Sequence, residues 1–156
     1  MRTIARTILI DAPPSRVFEL IDNPDRYPEF FVGMTKWESE SEQESGIGAR
    51  YRVLMKVGSI EAGGTVKVTE WSDPETIAWC WEKGIHQEGR WDLQPHDDGT
   101  EVTLEVSFDL SGGPVGRLVE LIAGRMVGRN LYATLLAARR LVEGRAHEEI
   151  RSAGTI

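Results

Sequence analysis

A chain of 156 residues fits one domain, which at this size buries roughly 70% of its unfolded surface, so no second core is required. With 25 Asp plus Glu against 18 Lys plus Arg, the formal charge of −7 repels phosphate backbones and argues against a nucleic-acid partner. The single cysteine, Cys80, has no internal disulfide partner and sits between Trp79 and Trp81, which fits a packing role in a reducing compartment, with the cytoplasm as the expected location.

The N-terminus carries Arg2 and Arg6 but only a short apolar tail before Asp11. It resembles neither a signal segment nor a membrane span, so no stable membrane insertion is expected. Thr3 to Ile10, rich in Ile, Thr and Leu and closed by Asp11-Ala12-Pro13-Pro14, predicts a strand running into a helix start. Val17, Phe18, Leu20 and Ile21 supply a helical apolar face, and Asn23-Pro24 stops that helix and opens a second over Asp25 to Phe31. The following Phe30-Phe31-Val32-Gly33-Met34 either frames a pocket mouth or plugs the rim of a sheet.

From Gly33 to Leu110 alternation and turns replace helical periodicity, which predicts a meander of strands. Between Ala49 and Val57 the odd residues are apolar; between Ile60 and Glu70, and again between Glu101 and Leu110, the even ones are. One dry and one wet face per strand is the signature of an antiparallel sheet covered on one side. Turns are expected at Ser45-Gly46, Gly58-Ser59, Asp73-Pro74, Lys83-Gly84 and Asp97-Asp98-Gly99.

After Ser111-Gly112-Gly113-Pro114 a single helix is predicted to end near Arg145, about 30 residues and roughly 45 Å long, enough to cross a sheet. Val115, Leu118, Val119, Ile122 and Met126 form one apolar line, and Val127, Leu131, Leu135, Ala138 and Val142 form another. Gly124 and Gly128 lie at the change, where a bend would let both lines face one sheet. The elements together predict an α+β chain with one domain over 1–146 and a tail over 147–156. Its curved antiparallel sheet of about seven strands surrounds the long C-terminal helix, with two short helices after the first strand.

Small inner-face residues, Ala62, Gly64 and Gly89, imply an underfilled interior and hence an apolar ligand cavity. Its expected walls are Tyr51, Val53, Met55, Ala62, Val66, Trp79, Gly89, Trp91 and Phe108 from the sheet, and Met126, Val127 and Tyr132 from the helix. Arg6 and Glu70 also fall on inner-face parity; they either pair or orient a ligand carbonyl there, or twist out at the rim, where Trp71 implies a register change beside Glu70.

No Gly-x-Ser-x-Gly elbow and no phosphate loop occurs, and no cofactor is expected. His86, His96 and His147 occupy a strand start, a hairpin turn and the tail, without a second ligand at metal spacing, so no metal is expected either. His86 and Glu88 tempt as an acid/base pair, but parity with Trp91 and Leu93 points both outward.

Several phrases carry a family resemblance: Ile-Asp-Ala-Pro-Pro-Ser-Arg-Val-Phe (10 to 18), Asp-Arg-Tyr-Pro-Glu-Phe (25 to 30), Gly-Ile-Gly-Ala-Arg-Tyr (46 to 51), Gly-Arg-Trp-Asp-Leu-Gln-Pro (89 to 95), Gly-Thr-Glu-Val-Thr-Leu (99 to 104) and Arg-Asn-Leu-Tyr (129 to 132). In this order they resemble the START and Bet v 1-like (SRPBCC) superfamily over nearly the whole chain, within it the bacterial polyketide cyclase/dehydrase and coenzyme Q-binding branches. The resemblance implies the helix-grip fold and a hydrophobic small-molecule partner, whether lipid, isoprenoid or polyketide-like. Binding or transport of such a molecule is the first reading. A polyketide aromatase/cyclase or dehydratase is the second, and a coenzyme Q-binding type interaction module the third. Lack of an inner-face histidine or carboxylate pair favours binding over catalysis. The acidic balance disfavours a ribosomal partner, and the oligomeric state stays open.

Overall fold

The computed structural model describes residues 1–57, 59–83, 86–109 and 113–154. Gly58, Gly84 and Leu110, with the side chains of Val57, Ile60, Val115, Leu118, Val119 and His147, lie outside that description.

Strand β1 (Arg2–Ile10) leads into helix α1 (Pro14–Ile21), a 3-10 turn (Pro24–Arg26) and the single-turn helix α2 (Tyr27–Phe30). Prolines at or next to the first position of each helix suit a turn whose N–H would be unsatisfied anyway. Six further strands follow: β2 (Met34–Ser39), β3 (Arg50–Val57), β4 (Ile60–Ser72), β5 (Thr76–Lys83), β6 (His86–His96) and β7 (Gly99–Asp109). They form a seven-stranded sheet in the order β1-β7-β6-β5-β4-β3-β2, with every neighbouring pair antiparallel. This curved antiparallel sheet with one long C-terminal helix, α3 (Gly113–Gly154), is the helix-grip fold.

The alternation read from sequence holds across the sheet. One inner row runs Val68, Trp79, Gly89, Val106 and Ile4; the next runs Ile77, Trp91, Leu104 and Arg6. Phe30 and Phe31 plug the space above them, each about 6 Å from the Trp91 ring and nearly edge-on in the case of Phe31. His86 and Glu88 are exposed, as parity required.

One expectation about the interior is corrected, and of the two readings left for Arg6 and Glu70 the structure agrees with the rim one, including the register change beside Glu70. The inner-face glycines do not leave a void, because the β5 indoles lie flat over them. A Cβ on Gly89 would stand 2.0 Å from Trp79 Cζ2, and one on Gly64 would stand 2.7 Å from the Trp81 ring. Glu70 does not face inward: an extra residue between Val68 and Glu70 shifts the β4–β5 register, so Glu70 crosses to the outer face and Trp71 turns in. There Arg90 Nη1 donates to Glu70 Oε2 at 2.7 Å and Arg90 Nε to Asp92 Oδ2 at 2.7 Å, an exposed network rather than a cavity group. Arg6 starts on the inner face, paired with Leu104, but its side chain is exposed and reaches across α3 at Gly128.

Helix α3 also departs from the expected form. It is one unbroken helix of 42 residues, roughly 63 Å at 1.5 Å per residue, and it continues through the segment expected as a tail. It packs chiefly on β1, with further contacts to β7, α1 and α2. Leu131, Leu135, Ala138 and Val142 of the second apolar line are buried against the sheet, whereas Ile122 of the first is 56% exposed and Met126 is half-buried. The glycines permit a close approach: a Cβ on Gly124 would meet Arg2 Nε at 2.6 Å, and one on Gly128 would meet Arg6 Nη2 at 2.4 Å.

Candidate functional site

A crevice enters the core where α1 ends, between the 3-10 turn, the loop after β2 and the inner faces of β3 to β5. Asp22, Tyr27, Trp37, Tyr51, Trp71 and Trp79 bound it, and its free volume is about 20 Å³, room for one water. Chain geometry explains the assembly. Asp22 is the residue on which α1 stops, and the β4 bulge delivers Trp71 to the inner face opposite it.

Polar contacts converge on Asp22. Trp71 Nε1 donates to its Oδ1 at 2.9 Å, and the Ser45 hydroxyl lies 3.3 Å from both carboxylate oxygens. Burial nevertheless raises the Asp22 pKa; the two hydrogen bonds lower it less, and the nearby charge of Asp73 adds to the rise. Burial likewise pushes the Tyr51 phenol up to about 12, with Asp22 and Glu44 adding to the shift. The Tyr51 hydroxyl donates to the Glu44 carbonyl, and the Tyr27 hydroxyl, its pKa also raised by burial, donates to the Ile21 carbonyl.

Two donors in this region lack acceptors. The indole N–H groups of Trp37 and Trp91 are buried without a hydrogen-bond partner. The Trp91 N–H lies near enough to Tyr27 to favour its phenolate, but the pair does not reach hydrogen-bond geometry, so this indole stays unpaired. Trp37 meets Tyr27 edge-to-face at 4.5 Å and Tyr51 at a tilt at 5.3 Å, so the ring that carries this orphan N–H forms part of the crevice wall. Buried donors of this kind are uncommon and call for an acceptor.

Of the expected cavity residues, Tyr51, Val66 and Trp79 meet at the crevice. Val53, Trp91 and Phe108 are buried in the surrounding core, Met55 and Val127 pack on its edge, and Ala62 is half-buried. Gly89 lies beneath Trp79. Tyr132, 48% exposed, is on the outward side of α3 and lines nothing internal; Met126 is half-buried and outside the core cluster. Cys80, half-buried, lines an open concavity of about 460 Å³ on the outer face of the sheet with Ala78, Glu88 and Ser107.

Sequence reasoning missed Asp22, Trp37 and Trp71 as site residues. Asp22 reads as a helix stop, and Trp71 changes face only through the bulge. It also passed over Gln87, 7% exposed and facing inward beside Phe108, although parity with Gly89 and Trp91 marks it. Among the described residues no cluster of His, Cys, Asp and Glu has metal-holding geometry, and no helix is long and apolar enough to cross a membrane.

Comparisons with solved structures give the same fold. Protein TTHA0849 of Thermus thermophilus superposes with a TM-score of 0.80 at 20% identity, covering 92% of this chain and 99% of its own. A START superfamily protein of Mycobacterium smegmatis gives 0.75 at 14% identity, covering 91% and 97%. The di-domain ARO/CYC BexL of the BE-7585A biosynthetic pathway gives 0.69 at 22% identity, covering 92% of this chain and 47% of its own. No curated protein sequence matches the chain. The model of one family, described as polyketide cyclase / dehydrase and lipid transport, matches residues 1–143, and the chain belongs to that family.

Proposed function

We propose that the protein binds a small hydrophobic molecule carrying a hydrogen-bond acceptor, admitted between the α1–α2 segment and the inner face of β3 to β5. The observation that carries this reading is that Trp37, whose buried N–H has no acceptor, lines the crevice. Leaving such a donor unpaired costs about 1–3 kcal/mol, which a ligand carbonyl or phenol oxygen recovers. Tyr51, Val66, Val68, Trp79 and Trp71 supply the apolar contact. Because a free volume of about 20 Å³ is far below the several hundred of a ligand pocket, binding requires the α1–α2 segment and the loop after β2 to part from the sheet. Membership of a family described by cyclisation, dehydration and lipid transport supports a ligand of this class.

The test is quenching of intrinsic tryptophan fluorescence by a flat, ketone-bearing apolar probe. Micromolar binding, about −8 kcal/mol, is expected, with Trp37→Phe about tenfold weaker toward the ketone than toward its hydrocarbon analogue. Absence of quenching with every apolar probe tried overturns the proposal. Asp22 favours a second reading, cyclisation or dehydration, because a carboxyl with a raised pKa is suited to act as a general acid. In that case Asp22→Asn keeps probe binding and loses turnover of a poly-β-ketone substrate.

A further inference from the structure

We infer that the outward face of α3, together with the first strand, is a docking surface for an anionic lipid bilayer. From Ile122 to Val142 the helix carries Arg125, Arg129, Arg139 and Arg140 and no acidic residue, in a chain whose formal charge is −7. At about 100° per residue, Ile122, Arg125, Arg129 and Tyr132 share an arc of roughly 80°, whose centre is turned about 120° from the buried line of Leu131 and Leu135. Arg2 and Arg6 lie along the β1 flank of this face, their guanidinium groups against the buried Gly124 and Gly128 rather than on the arc itself.

None of Arg2, Arg6, Arg125 and Arg129 has a carboxylate partner among the described residues, whereas Arg26, Arg50, Arg52 and Arg90 are each paired. Arg125 and Arg129, without counter-ions on the outward arc of an acidic protein and flanked by Arg2 and Arg6 on the β1 side, call for an external anion. The apolar members decide which kind. Ile122 is 56% exposed and Tyr132 is 48% exposed, within the same arc as the arginines. An aliphatic side chain gains nothing from a phosphodiester backbone, but at a bilayer surface it enters the acyl boundary while Tyr132 sits at headgroup level and the arginines meet phosphates. The outer face of the sheet, with its paired charges Arg50–Glu82 and Arg90–Glu70, would then point to water.

Co-sedimentation with vesicles tests this independently of the interior crevice. Binding is expected to vesicles of phosphatidylcholine with phosphatidylglycerol and not to phosphatidylcholine alone, and it should fall steeply with added salt. Arg125→Glu with Arg129→Glu should weaken it about tenfold or more, and Ile122→Ser should lower the part that survives salt, with the far-ultraviolet circular dichroism unchanged in both. Equal binding to neutral vesicles, no vesicle binding, insensitivity to the double charge reversal, or tighter binding to duplex DNA than to anionic vesicles at equal salt overturns the inference.

Discussion

Asp22 holds a carboxylate where charge is costly, and the consequence is measurable. Its folded-state pKa lies above the unfolded value, so between the ordinary aspartate value, about 4, and the raised one the folded chain binds the proton more tightly. Stability from this group is therefore greatest at low pH and is lost as pH rises through that window. Replacing it by Asn, which keeps an acceptor for Trp71 N–H, should remove this slope. Urea unfolding from roughly pH 4 to pH 7 should show wild type losing stability relative to Asp22→Asn as pH rises; parallel curves would refute the assignment. Gly89 is the other position where one residue decides much. With Trp79 Cζ2 at 2.0 Å from any added Cβ, Gly89→Leu must displace an indole from the middle of the core. A loss of about 3 kcal/mol or more is expected on denaturant unfolding, since overpacking here also breaks the aromatic layer. A tolerated leucine would mean that the interior has the slack that its sequence suggested.

At the scale of elements, the β4 bulge and the long helix do most of the positioning. One extra residue between Val68 and Glu70 exchanges a charge for an indole on the inner face, and so creates the Trp71–Asp22 contact that ties sheet to α1. The loop after α2 is tied to α3 by a single side chain: Val32 N–H donates to the Thr134 hydroxyl at 3.0 Å, and Thr134 is fully buried. Thr134→Val keeps the shape and deletes the acceptor, leaving a part-buried N–H unpaired. About 1–2 kcal/mol of destabilisation should follow, together with faster amide exchange at Val32. Unchanged exchange there would show that the loop is held by the phenylalanine plug alone.

For the molecule as a whole, a one-sided sheet closes over its own aromatic residues, and the long helix lies along its β1 edge with a basic face turned outward. Ligand entry at the crevice and contact at the α3 face involve different elements, so each can fail without the other. A vesicle-bound protein with no ligand affinity, or a ligand-binding protein indifferent to vesicles, would separate the two proposals.

Alternation in β3, β4 and β7, the prolines opening α1 and α2, and the proline-free stretch before the C-terminus were enough by themselves to determine the order of elements and a one-sided antiparallel sheet with a long C-terminal helix, because periodicity and helix-stop chemistry are local properties. Local properties also placed Tyr51, Val66 and Trp79 on the inner face. What fills the space between faces is not local. Gly64 and Gly89 read as empty because nothing in the chain records that the β5 indoles fold across neighbouring strands, and Gly124 and Gly128 read as a hinge because their neighbours Arg2 and Arg6 lie more than a hundred residues away. Trp71 signalled the register change beside Glu70, but Asp22 became a site residue only through partners on β4 and the loop after β2. Tertiary contact, by bringing these distant groups within bonding distance, decided both how full the interior is and where its polar groups meet.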